Sequence, residues 1–192
     1  MRKLIVVNIV SLDGYHEGPG KDVMAMPFDA GFSAYNVERL RAADTLLLGR
    51  TTFDGFRSYW PGVADDPGAD PIEREIARRN NAIDKVVVSD SLTPAQTAPW
   101  RNTRIVGRAD AHTTVAELRR QPGGEILTFG SRTLWNDLLV AGLVDELHLM
   151  IGPALLGGGT PFFEGPTRVA LRLLEARTLP DSELVLVRYG PR

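Results

Sequence analysis

The run Leu4-Ile5-Val6-Val7-Asn8-Ile9-Val10 constrains this chain most, because it is almost continuously apolar and rich in β-branched residues. A strand of that kind has no polar side to turn to water, so it must lie inside a sheet that is covered on both faces. The segments that follow alternate in the manner such a sheet requires. A helix is expected over Ser33 to Ala43, a strand over Thr45 to Leu48, a short helix after Gly49 and a polar helix over Ile72 to Asn81. Strands are expected at Lys85 to Ser89 and Thr103 to Val106, then a helix from Thr113 to Arg120 stopped by Pro122-Gly123-Gly124. Ile126 to Phe129 reads as another strand, and Ser131 to Ala141 as a helix ended by Gly142. Val144 to Ile151 alternates, and Leu171 to Thr178 with Glu183 to Tyr189 form strands joined at Pro180-Asp181. The expected fold is a mixed, mainly parallel α/β sheet of about eight strands flanked by helices, closing in an antiparallel hairpin. With 192 residues, 43% apolar, and no internal repeat or linker, residues 1–192 are expected to form one domain.

Two junctions carry the chemistry. Leu46-Leu47-Leu48 stops at Gly49-Arg50-Thr51-Thr52, and Ile126-Leu127-Thr128-Phe129 stops at Gly130-Ser131-Arg132-Thr133. Each reads as a strand that ends in glycine and hands over to a helix. Glycine allows close approach, the helix start presents N–H groups and a positive dipole end, and arginine adds a forked anion grip. A single junction could be an ordinary helix start, but two of them suggest a dinucleotide. The long stretch from Asp13 to Phe32 is too rich in turn formers for a regular element and reads as a working loop. Pro61 to Pro71 reads as a second loop.

Composition removes other classes. A net charge of −2 and no run of basic residues argue against nucleic acid. The absence of cysteine excludes disulfides and thiolate chemistry. His16, His112 and His148 lack ligand spacing, so each is expected to be a surface or half-buried histidine, with no metal bound. Behind Met1-Arg2-Lys3 the apolar stretch is short and lacks a cleavage site, which predicts a first strand and a cytoplasmic protein, and no run is long enough for a membrane helix. Gly157-Gly158-Gly159 lacks the lysine of a P-loop and reads as a tight connection or an interface loop. Trp60-Pro61 and Pro99-Trp100 are expected to pin loops to the core.

In order and spacing, Ser11-Leu12-Asp13-Gly14-Tyr15, Gly49 to Phe53, Val86 to Ser89, Gly130 to Leu134, and Val144 to Leu147 leading to Pro153 to Gly159 resemble the dihydrofolate reductase-like fold. Within it the chain is most similar to the reductase domain of riboflavin biosynthesis, the C-terminal domain of the bifunctional deaminase-reductase. The resemblance implies an NADPH-dependent reductase, commonly a homodimer. It would pass hydride to a small pyrimidine- or pterin-like substrate, as 5-amino-6-(5-phosphoribosylamino)uracil reductase does. Position by position it implies that the backbone at Val10 meets the nicotinamide carboxamide. Gly49, Arg50, Thr51 and Thr52 would hold the adenosine-side phosphates, Ser89 would lie near the 2′-phosphate, and Gly130, Ser131, Arg132 and Thr133 would cradle the pyrophosphate. Arg41, with a one-residue gap, would match a substrate-phosphate arginine.

Two departures stand beside these matches. Thr128 and Phe129 occupy the neighbourhood where riboflavin-pathway reductases carry a substrate-facing glutamate, and Asp29 lies several residues ahead of the buried acid of folate reductases. The proton donor is left among Asp13, Asp29 and water, with Asp13 the catalytic candidate and turn-shaping its competing role. Folate reductase-like activity, a non-catalytic NADPH-binding module and a purely structural dimerising domain are the alternatives. Leu155, Leu156, Phe162 and Phe163 are the apolar residues expected near a dimer interface.

Overall fold

A computed structural model describes residues 1–165 and 168–192. In chain order the elements are β1 (Leu4–Val10), β2 (Tyr15–Glu17), α1 (Ala30–Ala42), β3 (Ala43–Gly49), α2 (Arg50–Val63), α3 (Pro71–Ala82), β4 (Asp84–Val88) and β5 (Thr103–Val106). They continue with α4 (Ala111–Arg120), β6 (Glu125–Phe129), α5 (Arg132–Val140), β7 (Glu146–Ile151), β8 (Thr160–Pro161), β9 (Leu171–Thr178) and β10 (Val185–Pro191). Eight strands form one sheet in the order β5-β4-β3-β6-β1-β7-β10-β9, and β2 with β8 makes a small separate ribbon. Every pair from β5 to β7 is parallel, while β10 runs antiparallel to both β7 and β9.

β1 lies inside this sheet, and its side chains divide between the faces as a two-sided strand must. Ile5, Val7 and Ile9 join Tyr35, Val37 and Leu40 of α1, Phe53 of α2 and Ile76 of α3 in one core. Leu4, Val6 and Val10 join Ala111, Val115 and Leu118 of α4 and Trp135, Leu138 and Leu139 of α5 in the other. Helices α1 to α3 therefore cover a first face, and α4 with α5 a second. Because β3 and β6 are neighbours whose following helices leave to opposite faces, their carboxyl ends part around a crevice.

Several boundaries differ from expectation for physical reasons. α1 starts at Ala30, since Asp29 caps it by accepting from Phe32 N at 2.9 Å. α2 runs through Pro61, which removes the bond to the carbonyl four residues back, and the helix ends two residues later at Val63. β7 does not alternate; it is buried along nearly its whole length, because helices or sheet neighbours cover both of its sides. His148 is neither surface nor half-buried but 0% exposed. It faces Tyr35 of α1, whose hydroxyl lies 2.8 Å from Nδ1, and Glu146, whose Oε2 lies 2.9 Å from Nε2. Arg188 of β10 donates to Glu146 at 2.7 Å and to Glu175 of β9 at 2.8 Å, and Lys3 donates to Glu146 at 2.7 Å. Burial pushes His148 down to about 4 and keeps it neutral. Burial alone would raise Glu146, yet the hydrogen bonds from Lys3, Arg188 and His148 hold it at about 2. This lattice ties α1 to the closing hairpin.

Candidate active site at the carboxyl edge of the sheet

The two glycine junctions meet. The Gly49 N–H donates to Ser131 Oγ at 3.0 Å, and the Ser131 N–H donates to Thr52 Oγ1 at 2.8 Å. Gly130 and Ser131 both stand in the left-handed region, with φ of 50° and 47°. A Cβ on Gly130 would lie 2.8 Å from Thr52 Oγ1, so glycine is needed there for both conformation and space. A serine at positive φ is held only where its surroundings insist, a kind of strain that collects at functional sites. α1 and α3 are capped by the side chains of Asp29 and Asp70, and α4 is led in by a 3-10 turn at Arg108–Asp110. α2, α4 and α5 have no side-chain cap, and the starts of α2 and α5 adjoin one crevice, which leaves the N–H groups of two helix starts there.

α2 carries two stripes. Arg50, Asp54 and Arg57 form the charged one, with Arg50 Nε donating to Asp54 Oδ2 at 2.5 Å and reaching Gln96 at 3.5 Å. Arg57 donates to the Ala98 carbonyl at 3.0 Å, so this stripe faces the segment after β4. Ser89, at the end of β4, is buried and its hydroxyl accepts from Ser91 N and Leu92 N at 3.2 and 3.1 Å, shaping that same segment. Thr51 is exposed. The second stripe is aromatic: Phe53 is buried, and Phe56 lies 6.0 Å from Trp60 and 6.1 Å from Phe129 at the end of β6.

At the end of β1, Ile9 and Val10 face opposite neighbours. The Lys3 carbonyl accepts from Ile126 on the β6 side, whereas the Leu4 and Val10 carbonyls accept from Asp145 and Gly152 on the β7 side. Val10 is thus committed to β7. Ile9, by backbone alternation, turns its N–H and carbonyl toward β6, which has already ended beside Val7 at Phe129. This difference between Ile9 and Val10 depends on register, which the chain alone does not display.

Asp13 is placed as a brace. Its carboxylate accepts from Ser11 Oγ at 2.7 Å, Gly157 N at 2.8 Å and Leu156 N at 3.1 Å, tying the loop after β1 to the loop after β7. The Ser11 bond, with those amides, holds its pKa below the usual value, so it does not retain a proton near neutrality. Asp29 likewise accepts from Phe32 N and, at 2.6 Å, from Ser182 Oγ. Arg132 and Thr133 turn to β8 and the segment beyond it: Arg132 Nη1 and Thr133 Oγ1 each donate to Glu164 Oε1 at 2.7 Å, and Arg132 Nε donates to the Pro161 carbonyl.

Arg41 does not join the site. It lies on α1 just before β3 begins, and β3 carries the chain about 20 Å from there to the crevice at ~3.3 Å per residue. Its guanidinium makes a two-pronged contact with Glu75 at 2.9 and 2.8 Å. A cleft lined by Arg2, Asp44, Asp84 and Arg104 opens at that same amino edge, where Arg2 is already committed to Asp44, Thr45 and the Gly124 carbonyl. The four proposed interface residues also separate, since Phe162 is 1% exposed and Leu156 packs on the core while Leu155 is 71% and Phe163 43% exposed.

Comparison with known proteins places this arrangement. The YyaP protein of Bacillus subtilis strain 168, itself uncharacterised, is 30% identical over 191 residues, covering 98% of this chain and 95% of its own. The crystal structure of a riboflavin biosynthesis protein from Shewanella sp. PV-4, titled as putative, superposes with a TM-score of 0.68 at 22% identity, over 99% of both chains. Enterococcus faecalis dihydrofolate reductase, complexed with NADP(H) and RAB-propyl, superposes with a TM-score of 0.60 at 16% identity, over 99% of this chain and 96% of that one. The fold is therefore that of the dihydrofolate reductases. With the RibD C-terminal domain matched over residues 2–185, the chain belongs to the RibD C-terminal domain family.

Proposed function

We propose that the protein is an NADPH-dependent reductase whose crevice binds the dinucleotide across the two glycine junctions. The observation that carries this reading is the pair of uncapped helix starts locked to each other through Gly49, Thr52 and Ser131. The residues fit the group: the α2 start with Arg50, Thr51 and Thr52 would take the adenosine-side phosphates, and the α5 start from Gly130 to Thr133 would take the pyrophosphate. The open edge of β1 at Ile9 would meet the carboxamide. NADPH bound there supplies hydride; the chain's own residues bind it, orient it and screen it from water. The shared fold with a reductase complexed with NADP(H) supports the reading.

Titration of the purified protein with NADPH and NADH, followed by nucleotide fluorescence, tests it. Micromolar or tighter binding of NADPH with discrimination against NADH is the expected result, and no binding of either overturns it. Arg50→Ala should weaken NADPH far more than NADH, because it removes a charge-assisted contact to the additional phosphate. Equal losses would remove Arg50 from that role. The same reading carries a cytoplasmic homodimer acting on a small molecule, and light scattering that returns a 21.0 kDa monomer would remove the dimer.

A further inference from the structure

Resting on the reductase reading, we propose that Asp54, braced by Arg57, is the positioning residue through which Arg50 selects the cofactor that carries a phosphate on its adenosine ribose. The first ground is where Arg50 stands. It is the first residue of α2, a helix with no side-chain cap and no acid in its first turn. A cation there meets the positive end of the helix dipole, an arrangement unfavourable by itself and offset only by an anion. Within the chain Asp54 is the anion that Arg50 pairs with, its Oδ2 accepting from Nε at 2.5 Å.

The second ground is which part of the guanidinium Asp54 takes. Nε lies at the side of the group, so this one bond orients its plane and leaves the end edge, Nη1 with Nη2, for another partner. What the chain offers that edge is slight. Nη1 reaches Gln96 Oε1 at 3.5 Å, the outer limit of a hydrogen bond, and that oxygen already accepts from Thr93 N at 3.0 Å and Thr93 Oγ1 at 3.2 Å. Nη2 makes no hydrogen bond among the described residues. The oxygens of a phosphate monoester match such a two-pronged edge.

The third ground is how Asp54 is held. Its Oδ1 is buried without a hydrogen bond and lies 3.8 Å from Arg57 Nη2, while Arg57 Nη1 donates to the Ala98 carbonyl at 3.0 Å. A buried carboxylate oxygen that faces only a neighbouring charge is costly, and such an atom calls for a reason beyond packing. The series Ala98, Arg57, Asp54, Arg50 supplies one, since it runs from a backbone carbonyl to the open fork and fixes that fork step by step. It also sets two guanidiniums against one carboxylate, which leaves the stripe positive toward a phosphate. A fork already held in place loses less freedom on binding, so removing Asp54 should penalise the phosphate-bearing cofactor and spare the other.

The test measures Kd for NADPH and NADH in the wild type, Asp54→Ala, Arg50→Ala and the double variant, followed by nucleotide fluorescence. Asp54→Ala should lower the preference for NADPH, read as the ratio of the two Kd values, about fivefold. In the Arg50→Ala background the same change should move that ratio by less than about twofold, as a residue acting through Arg50 requires. A loss shared equally by both cofactors would be a structural effect and overturns the proposal. Tighter NADPH binding overturns it too, because Asp54 would then compete with the phosphate, and so does an undiminished fall in the Arg50→Ala background. Should Asp54→Ala not fold, Arg57→Ala, which removes the brace and leaves the carboxylate, decides in its place: a fall of about twofold in the ratio supports the proposal and an unchanged ratio overturns it. A wild type that prefers NADPH beside an Asp54→Ala that keeps the same preference leaves the reductase reading standing without the proposal. If the wild type binds neither nucleotide, the reading falls and the proposal with it.

Discussion

The junctions at Gly49 and Gly130 look alike in sequence, each an apolar strand closed by glycine and followed by hydroxyl and arginine residues, yet their backbones differ. Gly49 is extended, with φ of −80° and ψ of 162°, and passes into α2 as any residue could. Gly130 and Ser131 both have positive φ, and the chain turns sharply before α5 begins. The difference follows from the neighbour each has to accommodate. Around Gly49 an added Cβ would find its nearest atoms at 3.9 Å, whereas at Gly130 the Thr52 side chain already fills the space. One junction is a plain hand-over and the other is folded around it, so equal motifs do not imply equal roles.

The contrast can be broken most forcefully at Gly130→Ala. Left-handed alanine and the contact with Thr52 should cost about 3 kcal/mol in chemical denaturation, and a loss below about 1 kcal/mol would show that the turn can relax. Thr52→Val comes next. It leaves the buried Ser131 N–H without its acceptor and should cost about 2 kcal/mol, measured the same way. Acid sharpens the comparison from the other side, because the bonds between the junctions contain no titratable group. His148 is held at about 4, below its ordinary 6.5, so the unfolded chain binds the proton more readily. Stability should therefore fall as pH drops from about 6.5 toward 4, by on the order of 1–2 kcal/mol between pH 7 and 5, and His148→Gln should flatten that slope. The smallest effect belongs to Gly49→Ala, expected within about 0.5 kcal/mol of wild type; a larger loss would mean that the two junctions are equally constrained.

The strands and helices were legible because side-chain periodicity reports burial, and the continuous apolar run at β1 alone forced a two-faced sheet. The junctions were legible too, as glycine between a strand and a helix. What stayed hidden depended on register or on contacts distant in sequence. Which side of β1 the Val10 and Ile9 carbonyls face was hidden, because the partner of each carbonyl is a property of the sheet. The convergence of Ser11, Leu156 and Gly157 on Asp13 arises only after folding and leaves no mark in its local sequence. His148 sat in a segment that looked alternating, and no local pattern announces Tyr35 or Arg188 as its neighbours. A one-residue gap likewise says nothing about which end of the sheet Arg41 reaches, and it is found at the amino edge, paired with Glu75.

The bond from Gly49 to Ser131 joins residues 82 positions apart, and Asp13 reaches Gly157 across 144. Closing such long loops is entropically unfavourable until many other contacts share the cost, so the crevice has little chance of existing in a nascent or partly folded chain. A ligand that needs it recognises only the finished protein. Saturating ligand should therefore lengthen the lifetime of the native state and slow unfolding, while the rate at which new chains reach that state stays as it was.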